Sequence, residues 1–226
     1  MKKNLFFLLT GIILLSFATL QSCKKDDTTP PVISLSGSNP MIITLNSGTM
    51  SDPGATANDD EDGTVNVSSN WNWGTNPNPN MADTYYIVYT AADASGNETT
   101  ETRTVNVENS AKNLAGNYLV WDTCGTTQYF NYAQTITASN SVNGRIHFSK
   151  FADYSGNTGI YADITGASIT LPSQTANDIG SFIEDHQFNG TGSFVTSPGI
   201  VLHLNYTDNN LSTSSTANCS AWFVKQ

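Results

Sequence analysis

Three histidines, nineteen acids and four tryptophans supply most of the side chains with which this 226-residue chain could do chemistry. The imidazoles are His147, His186 and His203. His147 and His203 alternate with apolar neighbours, which turns each away from the buried face of its strand. The sequence has no His-x-His, no zinc-binding His-Glu-x-x-His, no Gly-x-Ser-x-Gly and no phosphate-cradling glycine loop. Glu184-Asp185-His186 is the densest titratable cluster and reads as a solvated turn. The paired carboxylates of a glycoside hydrolase are defined by their separation in space, and the predicted strands here carry few acids. The chain is expected not to be an enzyme and to need no cofactor.

Calcium is the metal to consider. Asn58, Asp60, Asp62 and Gly63 imitate the opening of an EF-hand loop. The twelfth position, however, is Ser69, where a bidentate Glu completes that coordination shell. A looser site at one end of a domain would combine Asp59, Asp60 and Asp62 with Asp93 of the Asp-Ala-Ser-Gly-Asn turn. The plainer reading, preferred here, is that Asp, Asn and Gly build tight turns.

Aromatic residues offer a different chemistry. Trp71 and Trp73 lie two apart, so on a strand both indoles face one way. The polar, proline-stiffened loop 74–80 follows them. Two indoles beside amide side chains would make a stacking platform for a sugar. Tyr129 and Tyr132, with Phe130 between them, form a second aromatic group. In both places the competing reading is that large aromatics fill a core.

These side chains need a scaffold, and the N-terminus says where it is made. Lys2 and Lys3 precede an apolar run from Leu5 to Leu20, broken by Thr10, Gly11, Ser16 and Thr19. That run is too interrupted for a comfortable spanning helix and suits a signal peptide over residues 1–22. Leu20-Gln21-Ser22-Cys23 resembles the lipobox of bacterial lipoproteins, which implies lipidation of Cys23 and a membrane anchor. Gln21 departs from the commonest pattern. Residues 23–30 read as a tether, charged and then proline-stiffened. Lys24-Lys25-Asp26-Asp27 also resembles the short signal that sends lipoproteins of Bacteroidota to the outer face of the outer membrane.

With the leader gone, 7 basic residues face 19 acidic ones, a net charge of −12. Such a chain lacks the basic footprint of a nucleic-acid binder. Anionic headgroups would repel it, so an acyl group must do the anchoring. With Cys23 lipidated, Cys124 and Cys219 remain as an even pair in an oxidising compartment, and a disulfide is expected. Two separate buried thiols are the alternative.

Past residue 30 no helical periodicity is sustained, and short alternating runs split by Gly, Asn, Asp and Pro predict an all-β chain. Residues 31–107 read as about seven short strands, the content of an Ig-type β-sandwich. Within them, Ser51-Asp52-Pro53-Gly54-Ala55 leads to an acidic Asp62-Gly63 turn, and Tyr85-Tyr86-Ile87-Val88-Tyr89 to Asp93-Ala94-Ser95-Gly96-Asn97. This resembles the bacterial Ig-like domain first noted in a pesticidal crystal protein. Ala82-Asp83 and Met50-Ser51 depart from its usual Gly and aromatic positions. The resemblance implies a sandwich used as a spacer or adhesive module.

Residues 108–113 read as a linker. Residues 114–226 then restart the alternation with eight or nine strands in an antiparallel meander. A Cys124–Cys219 bridge would bring the first and last of these strands together, as in a closed or nearly closed barrel. The segment opening Leu114-Ala115-Gly116-Asn117-Tyr118 resembles small C-terminal domains of Bacteroidota lipoproteins, some of them in polysaccharide-utilisation systems. The expectation is therefore an outer-membrane, surface-exposed, non-catalytic binding or accessory module, most plausibly for glycan, with outer-membrane protein partners. The rivals are a structural or adhesive protein that contacts a partner protein, and a lipocalin-like carrier.

Overall fold

The structure is a computed structural model that describes residues 26–154, 159–179 and 184–226, with the backbone alone at 127–131 and 178–179. The expected signal peptide, residues 1–22, and Cys23 lie outside the described residues.

The first seven strands are β1 (Val32–Leu35), β2 (Met41–Thr44), β3 (Ala55–Asp59), β4 (Gly63–Val65), β5 (Val67–Ser69), β6 (Asp83–Ala92) and β7 (Glu98–Glu108). They make two sheets, β1-β3-β4 and β2-β7-β6-β5, the second with β2 parallel to β7. Alternation decides what lies between them. Ile87, Tyr89, Val105 and Val107 face inward with Met41, Ile43 and Leu45 and form the buried core. Ile33, Leu35 and Val67 pack against it.

One charged residue belongs to this interior. Arg103 on β7 is fully buried. Its guanidinium donates to the carbonyls of Ser38 (2.6 Å), Ser36 (2.6 Å) and Gly54 (3.0 Å) and to the Tyr89 hydroxyl (3.1 Å). Tyr89 donates to Asp52 at 2.5 Å, and Asp52 also accepts the Gly54 amide at 2.8 Å. The Asp-Pro-Gly turn is thus a hub. Its Asp faces one sheet, and its Gly, at φ 77°, presents the carbonyl to Arg103.

The remaining strands are β8 (Gly116–Cys124), β9 (Thr127–Ala138), β10 (Arg145–Phe148), β11 (Tyr161–Thr165), β12 (Ser168–Ile179), β13 (Glu184–Val195), β14 (Val201–Asn210) and β15 (Ser215–Lys225). Each pairs antiparallel with the next, and β15 returns to β8, closing an eight-stranded barrel. Closure removes both sheet edges. Cys124 and Cys219 are register partners across the closing seam and are joined by the disulfide, with Cα atoms 4.1 Å apart. The interior is filled. Phe151, from the β10–β11 connection, sits 5.0–5.2 Å ring to ring from Phe148, Phe188 and Tyr206, and Phe223 meets Phe148 at 5.6 Å. Gly190 and Gly192 let β13 lie close on β14, because a Cβ at either would strike the carbonyl of Asn205 or His203.

The segment expected to be a simple linker is a pinned junction. Asn109 is buried. Its amide donates to the carbonyls of Ser139 (2.8 Å) and Val142 (3.0 Å), and its Oδ1 accepts from Ala111 and Gly144. A short 3-10 helix, Lys112–Leu114, then feeds β8. Asn46 of the sandwich accepts the Asn143 amide at 2.8 Å, and the Ala82 amide donates to the Asn140 carbonyl at 2.7 Å. A side-chain amide that satisfies five backbone groups, the Arg145 carbonyl at 3.2 Å among them, holds both units, whereas a composition rich in Asn reads as loop.

Arg103→Met keeps the aliphatic stem but removes the donors to three carbonyls and to the Tyr89 hydroxyl, so a loss of about 3 kcal/mol is expected in denaturant unfolding of the sandwich. Cys124→Ser with Cys219→Ser opens a loop of 95 residues. Barrel stability is then expected to fall by roughly 4–5 kcal/mol in the same measurement.

Candidate functional site

Because the barrel is closed, its outer surface is one continuous sheet. Strands β13, β14, β15 and β8 align their outward residues in rows. Asn189, Thr207 and Asn218 form one row, and Thr191, Asn205, Ser220 and Thr123 the next. A third row is Ser193, His203, Trp222 and Trp121. The small side chains of the first two rows leave a groove of about 720 Å³, lined by both rows together with Gly125, Gly190, Leu171, Tyr206 and Cys219. That volume lies within the range of small-ligand sites.

The aromatic row stands at the edge of this groove, since residues two apart on a strand share a face. Trp121 is 41% exposed and Trp222 50% exposed. The Trp222 ring is held in place. His203 stacks on it at 4.0 Å and 17°, and His203 Nε2 is itself 3.0 Å from Ser220 Oγ. An indole fixed this way loses little freedom when a ligand stacks on it. Beyond the tryptophans lies an apolar row of Val195, Val201, Val224 and Leu119, with Val195 56% exposed. The face offers amide, hydroxyl and indole groups, and its three polar and aromatic rows hold no carboxylate, Lys or Arg. This is chemistry suited to a neutral polyhydroxylated ligand.

Inside the barrel, polar groups gather around two buried carboxylates. Asp122 accepts from Tyr206 at 2.7 Å and from Tyr132 at 3.4 Å. Asp208 pairs with His186 Nδ1 at 2.6 Å and accepts from Tyr154 at 2.8 Å. Burial pushes the Asp122 carboxyl up to about 6, against the opposing pull of the Tyr206 hydrogen bond. Burial, reinforced by the Asp122 charge, also holds the phenols of Tyr132 and Tyr206 well above their ordinary range. Among the described residues, Asp122 Oδ1 and both amide atoms of Gln134 have no hydrogen-bond partner. Aromatic rings of the described interior pack around this cluster.

The sequence-predicted residues fall in several places. Trp71 and Trp73 stack on each other at 6.1 Å and 21° but pack against the sandwich core, in a turn and not on a strand. The exposed platform expected there is corrected to rings partly buried against the core, because off a strand the two-residue spacing does not set which way they face. Tyr132 points into the barrel, 5% exposed, and is corrected in the same way. The Tyr129 side chain lies outside the described residues. Asp62 accepts the Ala94 amide and Asp93 accepts from Asn97, so both serve turns. Asp59 and Asp60 do meet, and with Asp27 of the tether. His186 is buried in the interior cluster, where a solvated turn was expected. Trp121 and Trp222 went unmarked in the sequence because each sits in a run apolar on both faces. Their pairing exists only across the seam.

Residues 33–107 match the family model of the bacterial surface protein Ig-like domain. A solved structure of a lipoprotein from Bacteroides thetaiotaomicron is similar at 18% identity, covering 87% of this chain and 100% of its own, with a TM-score of 0.33. A protein of unknown function from Bacteroides ovatus is similar at 12% identity, covering 65% of this chain and 59% of its own, with a TM-score of 0.39. No curated protein sequence matches the chain.

The raised Asp122 carboxyl makes a pH prediction. Below about pH 4 the native and unfolded states both hold the proton, and the barrel keeps its full stability. As pH rises through about 6 the native state must give up a proton that the unfolded chain released earlier, and stability falls by roughly 2–3 kcal/mol. Asp122→Asn has no proton to lose. The stability difference between the variant and the wild type is expected to move in the variant's favour between pH 4 and pH 7.5, read by denaturant titration at each pH.

Proposed function

From a chain whose residues 33–107 are a bacterial surface Ig-like domain, we propose a non-catalytic, glycan-binding surface lipoprotein in which the sandwich carries the barrel outward. The binding face is the seam side of the barrel. The observation that carries this reading is the aromatic row at the groove: Trp222 locked by His203, with Trp121 opposite it in register. Sugar rings present C–H faces that stack on indoles, and their hydroxyls exchange hydrogen bonds with Asn, Thr and Ser. The neutral groove and acidic chain disfavour polyanions. Anchoring is assigned to a lipid on Cys23 in the outer membrane, and a polysaccharide-utilisation system, with outer-membrane protein partners, is the proposed setting.

One observation supports a second reading. Trp121, Trp222 and the exposed Val195 row together make an apolar surface of the kind that marks protein contacts. On that reading the chain docks a partner protein and binds no sugar.

Affinity gel electrophoresis separates the two. The chain starting at Lys24 keeps every described element and is run through gels holding neutral polysaccharides. At least one is expected to retard it. Trp121→Ala with Trp222→Ala should weaken that retardation at least about tenfold, a loss of roughly 1.4 kcal/mol or more. Trp71→Ala with Trp73→Ala should leave it unchanged in protein that remains folded. Migration unaffected by every polymer, or retardation that survives loss of Trp121 and Trp222, would overturn the glycan reading.

A further inference from the structure

We propose that Asp27, Asp59 and Asp60 form a calcium site that fastens the tether to the end of the Ig-like domain. Each of the three contributes a carboxylate oxygen, and these oxygens lie within 4.8 Å of one another. That is the width of a calcium shell, whose oxygens stand at about 2.4 Å from the ion. Proximity of acids alone says little. The decisive feature is that Asp59 is buried with one carboxylate oxygen unpartnered, and that half-buried Asp27 also keeps one buried oxygen without a partner.

Asp59 closes β3 and is 3% exposed. Its Oδ1 accepts the amides of Glu61 (3.0 Å) and Asp62 (2.9 Å), which makes the tight turn into β4. Its Oδ2 is buried and has no hydrogen-bond partner. Asp27 repeats the pattern from a distant part of the chain. Its Oδ1 accepts the Thr29 amide at 2.9 Å, and its Oδ2 is buried without a partner. The Asp27 carbonyl is held by the Asn97 amide group at 3.2 Å, from the neighbouring β6–β7 turn. A buried anionic oxygen without a donor is costly to keep. Asp59 and Asp27 thus each bring a carboxylate with a spare oxygen to the exposed Asp60, and a hard cation would neutralise the three together.

The chemistry of the set selects the ion. All the ligands are carboxylate oxygens, which suit calcium or magnesium and not zinc or copper. Three aspartates on two chain segments, one of them exposed, make an adaptable shell that water completes. Calcium accepts such a shell, whereas magnesium demands a small, near-ideal octahedron. A partly solvated site of three carboxylates belongs with the weak sites of extracellular modules, with Kd of about 10⁻⁴–10⁻³ M. The consequence is mechanical. The ion joins residues 26–30 to the β3–β4 turn, so the place where the chain leaves the domain is set by the cation and not by a loose linker.

The test uses the metal alone. The chain starting at Lys24 is stripped with EDTA and titrated with calcium chloride in a calorimeter at fixed ionic strength. Binding of one ion in the range given above is expected. Saturating calcium should also raise the melting temperature of the Ig-like domain by about 5 °C. Asp59→Asn, and separately Asp27→Asn with Asp60→Asn, should each weaken binding at least tenfold. The second pair leaves the Asp59 turn intact and serves if Asp59→Asn does not fold. No heat and no thermal shift in the wild type at about 10 mM calcium, well above that Kd range, overturns the proposal. Binding that persists unchanged in the Asp27 and Asp60 variant overturns it as well. An equal response to magnesium overturns the assignment to calcium.

Discussion

The structure depends most on one pairing, that of β15 with β8. Seven residue pairs run along this seam, from Cys219–Cys124 to Lys225–Tyr118. Until it forms, the C-terminal half is an open meander with two exposed edges, which invites pairing with other chains. Once it forms, the interior becomes a single layer packed around Phe151, and the outer residues of β13, β14, β15 and β8 become one face. The disulfide sits at one end of this seam and restricts the unfolded chain. Trp121 and Trp222 belong to strands that begin 99 residues apart and share a surface only because the seam closes. The proposed binding face therefore inherits its geometry from the closure.

The same logic of over-determined backbone holds in the sandwich and at the junction. Arg103 collects three carbonyls from the turns around β1, β2 and β3, and Asn109 collects backbone groups from the β9–β10 turn. Both are buried polar side chains whose hydrogen-bonding capacity is spent on loops. Loops tied down this way lose the freedom that hinges need. Asn46 and Ala82, next to the β7 end, add contacts to the same β9–β10 turn. On the proposed reading, a sandwich joined this firmly to a barrel would serve as a strut for the barrel's binding face.

Much of this architecture was readable from residue patterns. The alternation in Tyr85–Tyr89 and in Ile200–Tyr206 marks strands whatever their partners, and an even pair of cysteines in an exported chain marks the seam. The Asp-Pro-Gly turn and the acidic turns were recognisable because their backbone conformations demand those residues. Side-chain destinations were harder. Trp71 and Trp73 have a spacing that puts both rings on one side, but spacing does not say whether that side is wet. Tyr118-Leu119-Val120-Trp121 is apolar on both faces, so nothing local separates interior from exterior until the barrel closes. Asp27 reads as part of a solvated tether, and its approach to Asp59 depends on how the chain enters β1. His186 follows two acids in sequence, yet the strand turns it inward to Asp208, 22 residues away.

The four indole N–H signals of this protein give the most direct test of the face at the seam. Assigned by single Trp→Phe variants, they can be followed in heteronuclear NMR spectra while a neutral oligosaccharide from a retarding polymer is added. Glycan binding at the seam predicts that the signals of Trp121 and Trp222 shift together and saturate, while those of Trp71 and Trp73 stay in place. Movement of Trp71 and Trp73 with Trp121 and Trp222 unmoved would contradict it and return the site to the sandwich.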